Sequence, residues 1–99
     1  MFGLITRIRA IRGARDQLAS ILIKGSASMP GCLSYVVAAD GADSDALWIT
    51  EVWGSAELHK ASLQLPQVRE AMAAGRSLIA GFGERFQTTP LGGSGIAAP

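Results

Sequence analysis

One cysteine and one histidine are all the chain has of either, and this scarcity excludes several kinds of chemistry at once. Cys32 has no partner for an internal disulfide, which fits a reducing compartment. Cys32 and His59 do not sit at zinc spacing, so a metal centre of the usual imidazole and thiolate ligands is hard to build from this chain. Charge is also sparse, at 17% of residues with a net of +1, which gives no general pull toward nucleic acid or an anionic membrane. Arg7, Arg9, Arg12 and Arg15 form the main basic cluster, but no aromatic side chains interleave it as a nucleic-acid reader would require. No apolar run approaches the roughly 18 residues of a membrane span, because Lys24, Asp40, Glu51 and Arg69 interrupt the candidates. The first residues lack the continuous apolar stretch and small-residue cleavage site of a secretion signal, so the expected location is the cytoplasm. Nucleotide fingerprints are missing as well. Gly81-Phe82-Gly83 lacks a third glycine and precedes a strand pattern, and Gly92-Gly93-Ser94-Gly95 has no P-loop lysine.

What is present is apolar and periodic. Hydrophobic residues make up 48% of a chain of 99 residues, a length that buries a modest core by itself. Residues Phe2 to Ile11 alternate, with Leu4, Thr6, Ile8 and Ala10 on one parity and Ile5, Arg7, Arg9 and Ile11 on the other, which predicts a first strand. After Gly13, Ala14, Leu18, Ile21 and Leu22 recur at helical spacing, predicting a helix to about Lys24 with Gly25 as its stop. A Gly/Ser/Pro loop leads to a Tyr- and Val-rich strand, Cys32 to Ala39. The turn residues Asp40 to Asp45 then join it to a third strand, Ala46 to Trp53. Ser55 is a suitable N-cap and Glu57 suits the first turn of a second helix. Pro66 breaks that helix near Leu63 and restarts it, with Val68, Met72 and Ile79 expected on one face. A last strand, Phe82 to Thr89, is expected to carry Phe82, Glu84 and Phe86 on one side.

Strand, helix, strand, strand, helix, strand is the ferredoxin-like α+β pattern, with an antiparallel-type sheet and helices on one face. One domain over residues 1–90 and a flexible Gly-rich tail over 91–99 are expected. Both parities of strands two and three carry Val, Leu, Ile or Trp, too apolar for a face left in water. Face-to-face pairing of two copies, a homodimeric α+β barrel, would cover that surface. Arg7 and Arg9 fall on the parity of this second face, where carboxylates such as Glu51 or Glu84 are expected to pair with them.

The run Met29-Pro30-Gly31-Cys32-Leu33-Ser34-Tyr35 resembles the "PGC, then a tyrosine" start of strand two in the antibiotic biosynthesis monooxygenase family. Glu51-Val52-Trp53-Gly54-Ser55, then His59 and Leu65-Pro66-Gln67-Val68, is similar to that family's "E-x-W-x-S" strand end and the broken helix after it. With the element order, the resemblance spans about residues 2 to 90. It implies oxidation of a phenolic, quinol or polyketide-like small molecule by O₂ with no cofactor: no flavin, haem or metal. Haem-degrading relatives carry an asparagine, a tryptophan and a haem-ligating histidine at positions that match Thr6, Ser62 and Met72, so the resemblance speaks against haem degradation, and no residue recommends an isomerase. Many quinol-type members have a histidine near the position of Ser62, one helical turn from His59 on a similar face.

A substrate that reacts directly with O₂ must first become an electron-rich anion, so its site needs a base and apolar walls that exclude water. His59 is the candidate base or hydrogen-bond donor, with a solvent-facing place on the helix as its plainer reading. Trp48, Trp53, Tyr35, Ser62, Met72 and Phe82 are the candidate substrate-binding residues. Trp48 and Trp53 lie on opposite parities, so one should face the helices and the other a partner subunit. Plain core packing is the structural alternative for these aromatics. The alternative function is a non-catalytic small-ligand-binding or protective dimer on the same scaffold.

Overall fold

Alternation sets the sheet. In the computed structural model, which describes residues 1–96, β1 (Phe2–Ala10) turns Leu4, Ile8 and Ala10 into the core and Ile5, Arg7 and Arg9 to the opposite side. It pairs antiparallel with β3 (Ala46–Trp53) and β4 (Ile79–Thr88), while β2 (Cys32–Ala39) pairs with β3, giving the order β2-β3-β1-β4. Helices α1 (Arg15–Gly25), α2 (Ala56–Ser62) and α3 (Pro66–Gly75) cover one face, completing the expected ferredoxin-like α+β fold. Ile8, Ala10, Ala14, Leu18, Leu47 and Ile49 form one buried cluster beneath α1. No helix among the described residues is long and apolar enough to cross a membrane.

Local chemistry explains where the helices begin and how closely they pack. Gly13 takes φ +81°, which a side chain would resist, and its N–H donates to Asp45 Oδ1 at 3.1 Å. Asp16 in the first turn and Lys24 in the last both suit the dipole of α1. Pro66 occupies the first turn of α3, where its missing N–H costs nothing. Gly25, buried at the end of α1, lets that helix come close against α3: a Cβ there would lie 2.5 Å from the Cβ of Ala71. Neither methyl can swing aside, so Gly25→Ala forces the two helices apart. Overpacking of this kind costs about 1–3 kcal/mol, against a helix-propensity gain of about 1 kcal/mol. The expected outcome is a net loss of stability in urea denaturation, despite the better helix former.

The structure corrects three expectations. Helix α3 ends at Gly75 and a 3₁₀ turn, Arg76–Leu78, follows, so Ile79 opens β4 instead of sharing a helical face with Val68 and Met72. Within β4, Arg85 pairs with Thr6 while Phe82 pairs with Ile8, so one extra residue bulges opposite Arg7. Phe82 consequently faces the helices, whereas Phe86, paired with Ile5, faces the other side. Finally, Glu51 lies on the helix-facing side of β3 and cannot meet Arg7 or Arg9. Arg7 instead donates to Asp40 at 3.3 Å and to Asp43 at 3.0 Å, and Arg9 also binds Asp43; Glu84 adds only its charge nearby. Beyond β4, residues 91–96 form neither helix nor strand; the end of the tail expected to be flexible, residues 97–99, lies outside the described residues.

Asp40 organises the β2–β3 turn. One carboxylate oxygen accepts the backbone N–H groups of Ala42 and Asp43 at 2.8 and 2.9 Å, and the other accepts the Trp48 indole N–H at 2.8 Å and Arg7 Nε. The backbone donors foremost, then the indole and Arg7, hold its carboxyl well below the usual carboxylate range. A pKa depressed in the folded state adds stability that is present above the unfolded value, about 3.9, and is lost as pH falls below it. The urea midpoint should therefore decline from about pH 4 downward. Asp40→Asn should be less stable than the parent at pH 7, with the gap closing toward pH 2.

The sheet face away from the helices carries Ile5, Val36, Trp48, Val52 and Phe86, of which Val36 and Phe86 are about half exposed.

Candidate functional site

Ser55 fixes the entrance to the site. It sits in extended conformation and its side chain accepts the Leu58 N–H at 3.2 Å, so α2 starts at Ala56 and His59 follows within its first turns. From there His59 points inward toward β3. Its side chain is 16% exposed, which sets aside the solvent-facing reading. The imidazole lies 5.4 Å from the ring of Phe2 and 5.5 Å, edge-on, from Trp53.

Strand β3 supplies the facing groups. Its helix-side parity runs Leu47, Ile49, Glu51, Trp53, so the apolar alternation ends with a carboxylate beside an indole. Trp53, 1% exposed, donates its N–H to Glu51 Oε1 at 3.0 Å. The same oxygen lies 3.9 Å from His59 Nε2, and the Glu51 side chain is 13% exposed. The hydrogen bond from Trp53 therefore holds one carboxylate oxygen near the imidazole.

These groups border a pocket of about 390 Å³ between the sheet and the three helices. Tyr35, opposite Glu51 in the β2–β3 register, contributes its phenol. Burial foremost, then the nearby Glu51 and Cys32, push the Tyr35 hydroxyl upward, so it stays protonated and can donate a hydrogen bond. Burial likewise raises the Cys32 thiol. Ser62 lines the pocket, but its hydroxyl donates to the His59 carbonyl at 2.6 Å and so offers a ligand only acceptor capacity. Met72 and Phe82 stand where the pocket opens to solvent, with Phe82 72% exposed. Arg85 also lines this space.

Six of the seven residues expected at the site are thus brought together: His59, Trp53, Tyr35, Ser62, Met72 and Phe82. Trp48 is not among them. Its parity on β3 turns it to the opposite sheet face, where it hydrogen-bonds Asp40, so it is removed from the substrate-binding set. Glu51 and Arg85 were not foreseen there. For Glu51 the signal was available, since it shares its parity with Trp53. Arg85 reaches the pocket side only through the β4 bulge, for which Gly83, with Arg7 close against it, is the sole sequence hint. Among the described residues no group of three or more His, Cys, Asp and Glu side chains is placed to hold a metal ion.

Comparison with known proteins places these features in context. The family model for antibiotic biosynthesis monooxygenase matches residues 1–74. The solved structure of a protein of that family from Chloroflexus aurantiacus J-10-fl is 59% identical, covers 97% of this chain and 98% of its own, and superposes with a TM-score of 0.94. A structure from Deinococcus radiodurans is 22% identical over 94% of this chain and 95% of its own, with a TM-score of 0.75. One from Nitrosomonas europaea is 11% identical over 92% and 99%, with a TM-score of 0.81; these two show the shared fold. No curated protein matches the chain.

Proposed function

The chain belongs to the antibiotic biosynthesis monooxygenase family, and from that premise we propose that it oxidises a phenolic, quinol or polyketide-like small molecule with O₂ in the pocket of His59, without flavin, haem or metal. Family membership supports monooxygenase-type chemistry in general. The observation that carries the specific reading is the inward-facing, half-buried imidazole of His59 set 3.9 Å from Glu51, whose carboxylate is held by Trp53 at the edge of an apolar pocket.

The chemistry follows from what such a site can do. His59 removes the phenolic proton, and Glu51 stabilises the resulting imidazolium. Apolar walls keep water from quenching the electron-rich anion, which then reduces O₂ directly. For a quinol with a free ring C–H, one oxygen atom enters the ring, the other leaves as water, and the product is a hydroxyquinone. In this reading Tyr35 donates a hydrogen bond to a substrate oxygen and Trp53, Met72 and Phe82 contact the ring, which their shared lining of the pocket supports.

A second copy of the chain is proposed to cover the apolar sheet face of Ile5, Trp48, Val52 and Phe86, making a homodimer. The cytoplasm is the proposed setting.

The reading is tested by incubating the protein with naphthoquinols and anthrones under air and under argon. Oxidised product formed faster than in the protein-free control, and only under air, is expected for at least one compound. Failure with every compound would favour a non-catalytic binding protein.

A further inference from the structure

The pocket of His59 does not end at its apolar wall. A second cleft of about 450 Å³ runs between α1, α3 and the start of β4, with Ile8 and Leu18 among its core-side residues and Ile79 and Ala80 along the strand. Leu22, Ala71, Met72 and Phe82 line both spaces, so the two meet at a shared apolar partition. Among the described residues, Arg76 is the only one with a charged or hydrogen-bonding side chain on the lining of the second cleft.

We propose that this cleft binds the hydrocarbon tail of an amphipathic aromatic substrate whose ring occupies the pocket of His59. The lining selects the occupant. A peptide segment laid in the cleft would bring amide groups that find almost no side-chain partner, and a polar ring would lose its water without compensation. A saturated or prenyl-like chain has no such groups to satisfy and gains from every methylene removed from water. The two spaces also differ in kind: His59, Glu51 and Tyr35 can recognise a phenolic head, whereas the second cleft, Arg76 apart, offers bulk and shape. Met72 and Phe82, at the partition, would contact the junction of ring and chain. The identity of the head group rests on the oxygenase reading above; the tail site does not.

Redox-inert probes test the site separately from the reaction. Equilibrium binding of p-cresol, 4-butylphenol, 4-hexylphenol and 4-octylphenol is measured by calorimetry under argon. Kd should fall by up to about fourfold per added methylene, then level off once the chain fills the cleft. Ala80 is exposed and lies in the second cleft but not in the pocket of His59, so Ala80→Trp should flatten the chain-length gain while leaving p-cresol binding unchanged. Ala80→Leu, a smaller intrusion, should reduce the gain if the indole prevents folding. A Kd that does not change with chain length, or an undiminished gain in the folded Ala80 variants, overturns the proposal. Failure of the oxygenase reading looks different: the chain-length gain persists, but no alkylated quinol drives O₂ uptake.

Discussion

Replacing His59 with alanine is expected to lower oxygen-dependent turnover by about 10²- to 10⁴-fold, the range that a positioned general base contributes. The loss should fall mainly on kcat, because most of the pocket surface that contacts the ring comes from other residues. One control separates chemistry from packing. His59→Gln fills most of the space between Phe2 and Trp53 and retains a hydrogen-bonding group, so it should restore stability without restoring rate. Full activity in His59→Ala would transfer the role of base elsewhere and leave the pocket assignment standing.

Trp53 carries the second large effect, this time on stability. Its indole is almost completely enclosed, and truncation of a large buried aromatic to alanine costs about 3–5 kcal/mol, a large part of the stability expected for a domain of this size. Trp53→Phe is the more informative change. It keeps most of the packing but removes the N–H that Glu51 accepts, and losing a hydrogen bond to a charged group costs about 1.5–3 kcal/mol. Urea denaturation should therefore rank the parent above Trp53→Phe and Trp53→Phe above Trp53→Ala. Because the carboxylate is then no longer held beside His59, the folded Trp53→Phe protein should also lose turnover. Unchanged activity in that variant would show that Glu51 needs no anchoring.

Much of this architecture was legible in the residues, for identifiable reasons. Strands β2 and β3 were bounded by turn residues on both sides, and they occupy the expected spans. Ser55 and Pro66 are strong local signals whose roles depend on their own backbone, so the broken helix was readable as well. The family likeness, drawn from the residues around Tyr35, Trp53 and Pro66, agrees with the family match. The last strand was harder. A 3₁₀ turn after Gly75 and a bulge opposite Arg7 change the parity of β4, and neither follows from hydrophobic period, since both depend on pairing with β1. The acidic partners of Arg7 were missed for a similar reason: Asp40 and Asp43 are distant in sequence and reach it only once the β2–β3 turn folds over.

Within the site, the inward direction of His59 depends on how α2 docks, which a helix of seven residues does not announce through its own period. Strand parity, in contrast, was enough to separate the two tryptophans and would have been enough to find Glu51. The rule that one indole faces the helices and the other faces away holds, and it is this rule that takes Trp48 out of the pocket.

The most direct test is a single-turnover reaction with a substrate quinol under ¹⁸O₂, followed by mass spectrometry of product and water. Direct reaction of a bound anion with O₂ predicts one labelled oxygen atom in the hydroxyquinone and the other in water, with no added flavin, haem or metal. Product free of label, or product formed equally well under argon, would contradict the account.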